Sequence, residues 1–109
     1  MKKIIFALLI IPNFCLSDVK NIEMHNCSYN SSLNWVEVRA YNNNDKDIIY
    51  MEIKLTDPNG KNFTFAKNSK KTLIKAKNAS KITFFNIFFK PKGCRIIDVK
   101  FKKGWFDFW

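Results

Sequence analysis

The sequence predicts a small all-β domain, a sandwich of about seven short strands behind a cleavable leader. Three observations carry this expectation. Apolar residues recur with a period of two, and no stretch sustains a helical period. Polar clusters rich in Asn, Asp, Gly and Pro interrupt that pattern about every 8–12 residues. An uncharged apolar run follows Met1-Lys2-Lys3 directly and stops at Pro12. The composition agrees: 47% hydrophobic and 16% aromatic residues supply a core, which excludes a disordered polar tail. Only 3 glycines and 3 prolines exclude collagen-like and Pro-rich chains. At 109 residues the chain makes one domain at most.

The leader comes first. Lys2 and Lys3 precede Ile4 to Ile11, Pro12-Asn13 breaks the run, and Cys15-Leu16-Ser17 places small side chains at both positions a signal peptidase reads. Residues 1–17 therefore read as a signal peptide, cut between Ser17 and Asp18. The run is far short of the roughly 20 apolar residues a spanning helix needs. Phe14 and Asn13 before Cys15 do not fit the lipobox of bacterial lipoproteins, which argues against lipid anchoring there. The domain is then residues 18–109, exported to the periplasm or secreted.

Loss of Cys15 with the leader leaves an even pair, Cys27 and Cys94. In an exported chain an even pair reads as a disulfide, here joining the start of the domain to its last strand. Two buried free thiols are the alternative.

The strands follow in order. A first one lies around Val19 to Met24. Leu33 to Tyr41 sets Val36, Val38 and Ala40 on one face against Trp35, Glu37, Arg39 and Tyr41. The Asn/Asp cluster from Asn42 to Asp47 is a turn, because those side chains satisfy left-handed backbone locally. Ile49, Met51, Ile53 and Leu55 then alternate with Tyr50, Glu52, Lys54 and Thr56. Asp57-Pro58-Asn59-Gly60 is the strongest turn, since proline presets its second position and Gly60 accepts positive φ. It predicts a hairpin into Asn62 to Phe65.

Lys67 to Lys71 is a polar break, Thr72 to Lys77 a weaker strand, and Asn78-Ala79-Ser80 another turn. Lys81 to Phe89 is apolar on both faces, with Ile82, Phe84 and Phe88 on one and Phe85, Ile87 and Phe89 on the other. Such a run predicts a central strand covered twice. Pro91-Lys92-Gly93 turns the chain into Cys94 to Phe101, where Ile97, Val99 and Phe101 alternate with polar neighbours. Seven short strands in a domain this small are the pattern of an immunoglobulin-like sandwich.

Two of these stretches also carry a family resemblance. Tyr41-Asn42-Asn43-Asn44-Asp45-Lys46-Asp47-Ile48, then Ile53-Lys54-Leu55-Thr56-Asp57-Pro58-Asn59-Gly60-Lys61, resemble the FxLYD-type and related immunoglobulin-like modules of bacterial envelope proteins. Those modules run strand, Asn-rich turn, alternating strand, then an Asp-x-x-Gly-Lys hairpin. The resemblance covers residues 36 to about 101. It departs where Asn78-Ala79-Ser80 stands for the family's Pro-Gly, Ile53 for the motif's phenylalanine and Thr56 for its tyrosine. It implies the sandwich, and a binding or assembly role.

Catalytic chemistry is hard to place. His25 is the sole histidine, and Glu37, Glu52, Asp57, Asp98 and Asp107 are scattered. A Ser or Cys triad needs a histidine oriented by a carboxylate, and no phosphate-cradling glycine loop, zinc spacing or nucleophile elbow is present. The expectation is a non-enzymatic protein without cofactor or metal.

The charge says more, at +10 overall. Lys67, Lys70, Lys71, Lys75, Lys77 and Lys81 fall close together, and Lys90, Lys92, Arg95, Lys100, Lys102 and Lys103 follow. Lysines on strands and turns protect sheet edges and maintain solubility. Read functionally, Lys67, Lys70, Lys71, Lys75 and Lys77 form a basic face for an anionic lipid head group, a polysaccharide or an acidic envelope protein. Export argues against nucleic acid.

The terminal Gly104-Trp105-Phe106-Asp107-Phe108-Trp109 adds four aromatics. Either the last strand continues and tucks some of them into the core, or Trp105, Phe106, Phe108 and Trp109 present an interface. The expected function is thus an exported binding or assembly module of a bacterial cell envelope. The alternative class is a secreted basic effector or toxin acting on anionic membranes.

Overall fold

A computed structural model describes residues 19–103. The expected signal peptide, residues 1–17, and the aromatic segment, residues 104–109, lie outside them. Among the described residues six strands form, and no helix: β1 (Ile22–Asn30), β2 (Trp35–Asn42), β3 (Ile48–Thr56), β4 (Asn62–Asn68), β5 (Asn78–Phe85) and β6 (Gly93–Phe101). They make two antiparallel three-stranded sheets, ordered β1-β2-β5 and β4-β3-β6. Strand β1 lies against β6, and β4 against β5.

One core joins the two sheets. From the first come Ile22, Met24, Val36, Val38, Ala40, Ile82 and Phe84; from the second, Met51, Ile53, Leu55, Ile96 and Val99. The alternation of β2 does what its sequence predicts, with Val36, Val38 and Ala40 inward. The Asp57–Gly60 turn also forms. Gly60 takes φ 91° and donates to the Asp57 carbonyl at 3.0 Å. The Asp57 carboxylate accepts from the backbone of Asn59 and Lys61, both at 2.9 Å. The hairpin then runs on to Asn68, three residues beyond the expected end.

The Cys27–Cys94 disulfide is present, with Cα atoms 6.6 Å apart. It joins β1 to β6, the edge strands that face each other across the two sheets.

Several expectations need correction. The described residues hold six strands, because Thr72 to Lys77 forms only a single bridge, Ile48 to Ile74. Lys77 has φ 57° and ends the extended stretch. The turn lies there, closed by Asn78 N–H donating to Lys75 O at 3.1 Å, so Asn78-Ala79-Ser80 opens β5 instead of forming a turn.

The expected central strand over residues 81–89 is an edge strand, and it stops at Phe85. Asn86 takes φ 62°, which turns Ile87 into the core and Phe88 out of it. The first strand begins later than expected and continues through Cys27 to Asn30, with a bulge between Met24 and Asn26. Bulges in the β3–β6 ladder turn Ile48 and Ile96 inward in place of Ile49 and Ile97.

Candidate binding surfaces

The loop from Ser69 to Lys77 carries four of the five lysines assigned to the basic face, and two side-chain hooks hold it, one buried and one partly exposed. Asn42, at the end of β2, is fully buried. Its Nδ2 donates to the carbonyls of Lys46 at 2.9 Å and of Ile74 and Lys75 at 3.3 Å each. Its Oδ1 accepts from the Asn44 backbone and side-chain amides at 3.1 and 3.0 Å. Asp47 is the second hook. It accepts from Ala76 N–H at 2.9 Å and from the Thr72 hydroxyl at 3.1 Å. The backbone of Ile48 adds bonds to Leu73 and Ile74.

This anchoring sets the charges. Lys75 and Lys102 both act on Asp47, and Lys102 N–H donates to the Asp47 carbonyl at 2.7 Å. Lys77 reaches Asn43 Oδ1 at 3.0 Å and Asp45 at 3.8 Å. Lys70 and Lys71 are exposed in the preceding turn, where Ser69 accepts from Lys71 N–H at 3.2 Å. Asp47 thus ties the loop to the end of β6, with Lys75 and Lys102 both acting on its carboxylate. Trp105, Phe106, Phe108 and Trp109 themselves lie outside the described residues.

The Asp47 carboxyl is held below its ordinary value of 3.8. The Ala76 N–H is the largest cause; partial desolvation opposes it, and the Thr72 hydroxyl, Lys102 and Lys75 add to the lowering. A depressed folded pKa contributes stability that is present above the unfolded value and is lost as pH falls through the folded one. Amide exchange at Ala76 is therefore expected to accelerate as pH is lowered beneath 3.8. Asp47→Asn abolishes that acid step, as exchange corrected for intrinsic pH dependence would show.

Lys67 does not join this group. Its Nζ crosses between the sheets, donating to the Thr83 carbonyl of β5 at 2.9 Å and lying 4.8 Å from the centre of the Phe85 ring. The sequence could not show this, because β4 and β5 meet only through tertiary packing.

The carboxylates are also separated. Glu37 lies on β2 and Glu52 on β3, in different sheets. Glu52 stands opposite Asp98, and the Tyr50 hydroxyl donates to it at 3.5 Å. Burial, then the charges of Glu52 and Asp98, push the Tyr50 hydroxyl above its usual range, so it stays a donor. Lys100 lies over the Tyr50 ring at 5.0 Å. His25 sits at the β1 bulge, bonded to Glu23 at 3.2 Å and stacked on Tyr41. Among the described residues no three His, Cys, Asp or Glu side chains cluster as metal ligands. No helix there is long and apolar enough to cross a membrane.

A further surface was hidden in the run expected to be covered twice. Phe85 is 52% exposed, Phe88 70% and Leu33 54%. Trp35 meets Phe85 edge-on at 5.5 Å, and Ile87 N–H donates to the Asn34 carbonyl at 2.9 Å, which brings the 33–35 and 85–88 segments together. The signal in the sequence was the double-sided apolar pattern itself, which one sheet covers on one side only.

No family model, curated protein or solved structure matches the chain.

Proposed function

We propose that the protein is an exported, non-enzymatic binding module of a bacterial cell envelope. It meets an anionic or protein partner through the basic loop around Lys75 and Lys77 and the aromatic segment that follows Lys103. One observation carries the reading: Asn42 and Asp47 fix the Ser69–Lys77 loop so that Lys75 of the loop and Lys102, just before the aromatic segment in sequence, both act on the Asp47 carboxylate. Cations beside aromatic side chains suit a surface that must be attracted electrostatically and then held by apolar contact.

Export is supported by the disulfide, which persists in oxidising compartments and is rare in the cytosol, and by the charged-then-apolar start of the chain. An immunoglobulin-like sandwich is supported by the path of the chain. It passes from one sheet to the other after β2, after β4 and after β5, as Greek-key sandwiches do. The disulfide departs from the usual pattern, because it ties the edge strands β1 and β6 instead of the central pair.

Envelope pull-downs test the proposal. The chain ending at Lys103 is expected to lose the partner that the full chain captures. The double variant Lys75→Glu, Lys77→Glu is expected to capture it more weakly, and more so at low salt, where charge is least screened. Identical partners for all three proteins, or none for any, would remove this surface from the account.

A further inference from the structure

The second surface lies along the other margin of the sheets, where β5 is an edge strand beside β4. An edge strand carries unpaired backbone donors and acceptors. Thr83 turns its carbonyl away from β2 toward Lys67. By the two-residue alternation of an antiparallel ladder, the backbone groups of Lys81 and Phe85 face the same open side. A groove of about 350 Å³ runs along this margin between Phe65, Ala66 and Lys67 of β4 and Thr83, Phe84 and Phe85 of β5. Phe85, one of the three large apolar side chains left exposed among the described residues, lines it.

Lys67 is the one charged side chain that lines the groove; one strand in, Glu37 stands opposite Thr83 and Glu52 opposite Ala66. Lys67 lies over Phe85, and Lys61 lies over Phe63, whose ring in turn packs on Phe89 at 5.3 Å. On the outer face Arg39 stands directly opposite Lys81. Like charges facing each other across a strand pair repel. No carboxylate lines the groove.

We infer that this margin is a strand-addition site for an extended, apolar and acidic segment of a partner protein. The free backbone of β5 supplies the ladder, Phe85 receives the apolar side chains, and the cations select for carboxylates. Lys67 serves as a guard. In the free protein its ammonium occupies the Thr83 carbonyl, which blunts the edge against unspecific pairing. An incoming carboxylate draws the ammonium away, and Thr83 then accepts from the partner's backbone. A second copy of this chain fits poorly, because it would set Lys67 and Lys81 of one edge against the same cations of its copy.

The test is an amide NMR titration of the labelled chain with two capped hexapeptides of alternating sequence, Glu-Val-Glu-Val-Glu-Phe and its Lys-for-Glu counterpart. The acidic peptide is expected to shift the amides of Lys67, Lys81, Thr83 and Phe85, with affinity falling as salt rises, while the basic peptide leaves them unmoved. Lys67→Met and Phe85→Ser, each checked for an unchanged melting temperature, are expected to weaken binding about tenfold. The inference is overturned if no shifts appear at millimolar peptide, if they lie elsewhere, or if both peptides act alike. Sedimentation showing a dimer that Phe85→Ser dissolves would also overturn it, by making a second copy the occupant. Removing residues 104–109 should leave the titration unchanged, which separates this site from the basic end.

Discussion

Cys27→Ser combined with Cys94→Ser is expected to lower the free energy of unfolding by about 4 kcal/mol. The bond closes a loop of 67 positions, and it forbids the unfolded chain the many conformations in which those two residues are far apart. Its place in the fold points the same way. Strands β1 and β6 belong to different sheets and share no ladder, so the disulfide is the covalent tie across their margin. A domain of this size has a total stability of roughly 5–15 kcal/mol, so the double variant should sit near the edge of folding. Urea unfolding measures the loss, and exchange should rise first at Val38 and Leu55, the core residues paired with Cys27 and Cys94. A loss under about 1 kcal/mol would mean that packing alone closes this margin.

Asn42→Ala is the second large effect, expected to cost about 3 kcal/mol. The side chain is wholly buried and makes five contacts, three as donor and two as acceptor. Its removal takes a donor from the Lys46, Ile74 and Lys75 carbonyls, of which the last two keep the N–H groups of Ile48 and Asn78, and it strips two acceptor contacts from Asn44. Asn42→Asp should be worse than alanine at neutral pH, since it sets a carboxylate against three carbonyl oxygens. Lowering the pH should recover part of that deficit, because the neutral acid can donate again. Equal stability of the two variants at neutral pH would contradict the hydrogen-bond assignment. Amide exchange in the Ser69–Lys77 loop provides the local readout.

The cysteine pair and Asn42 show where the sequence was readable and where it was not. The cysteine pair needed only parity and compartment. The buried strand β2 and the Asp57–Gly60 hairpin needed only period and turn chemistry, both local. Asn42 was read as part of a polar turn, because nothing local tells a turn asparagine from one buried under a loop more than thirty positions away. The same limit hid the Thr72–Lys77 segment. Its alternation is real, but hooks from Asn42 and Asp47 hold it in place of a neighbouring strand.

Inward and outward assignments failed where two apolar residues adjoin. In Ile48-Ile49 and Ile96-Ile97 a period of two fits either choice, and the bulges decided. In the run from Ile82 to Phe89, left-handed Asn86 reversed the alternation. The lysines could be counted from sequence, but their grouping depended on the loop's path. That is why Lys75 and Lys77 belong to one surface and Lys67 to another.

The most direct test of an exported, disulfide-tied module is the intact mass of the protein from its native host's envelope fraction, alkylated with and without prior reduction. The account predicts a chain that begins at Asp18 and takes two alkylations only after reduction. A chain that retains Met1 in the soluble cytoplasmic fraction, alkylated at Cys27 and Cys94 without reduction, would contradict it.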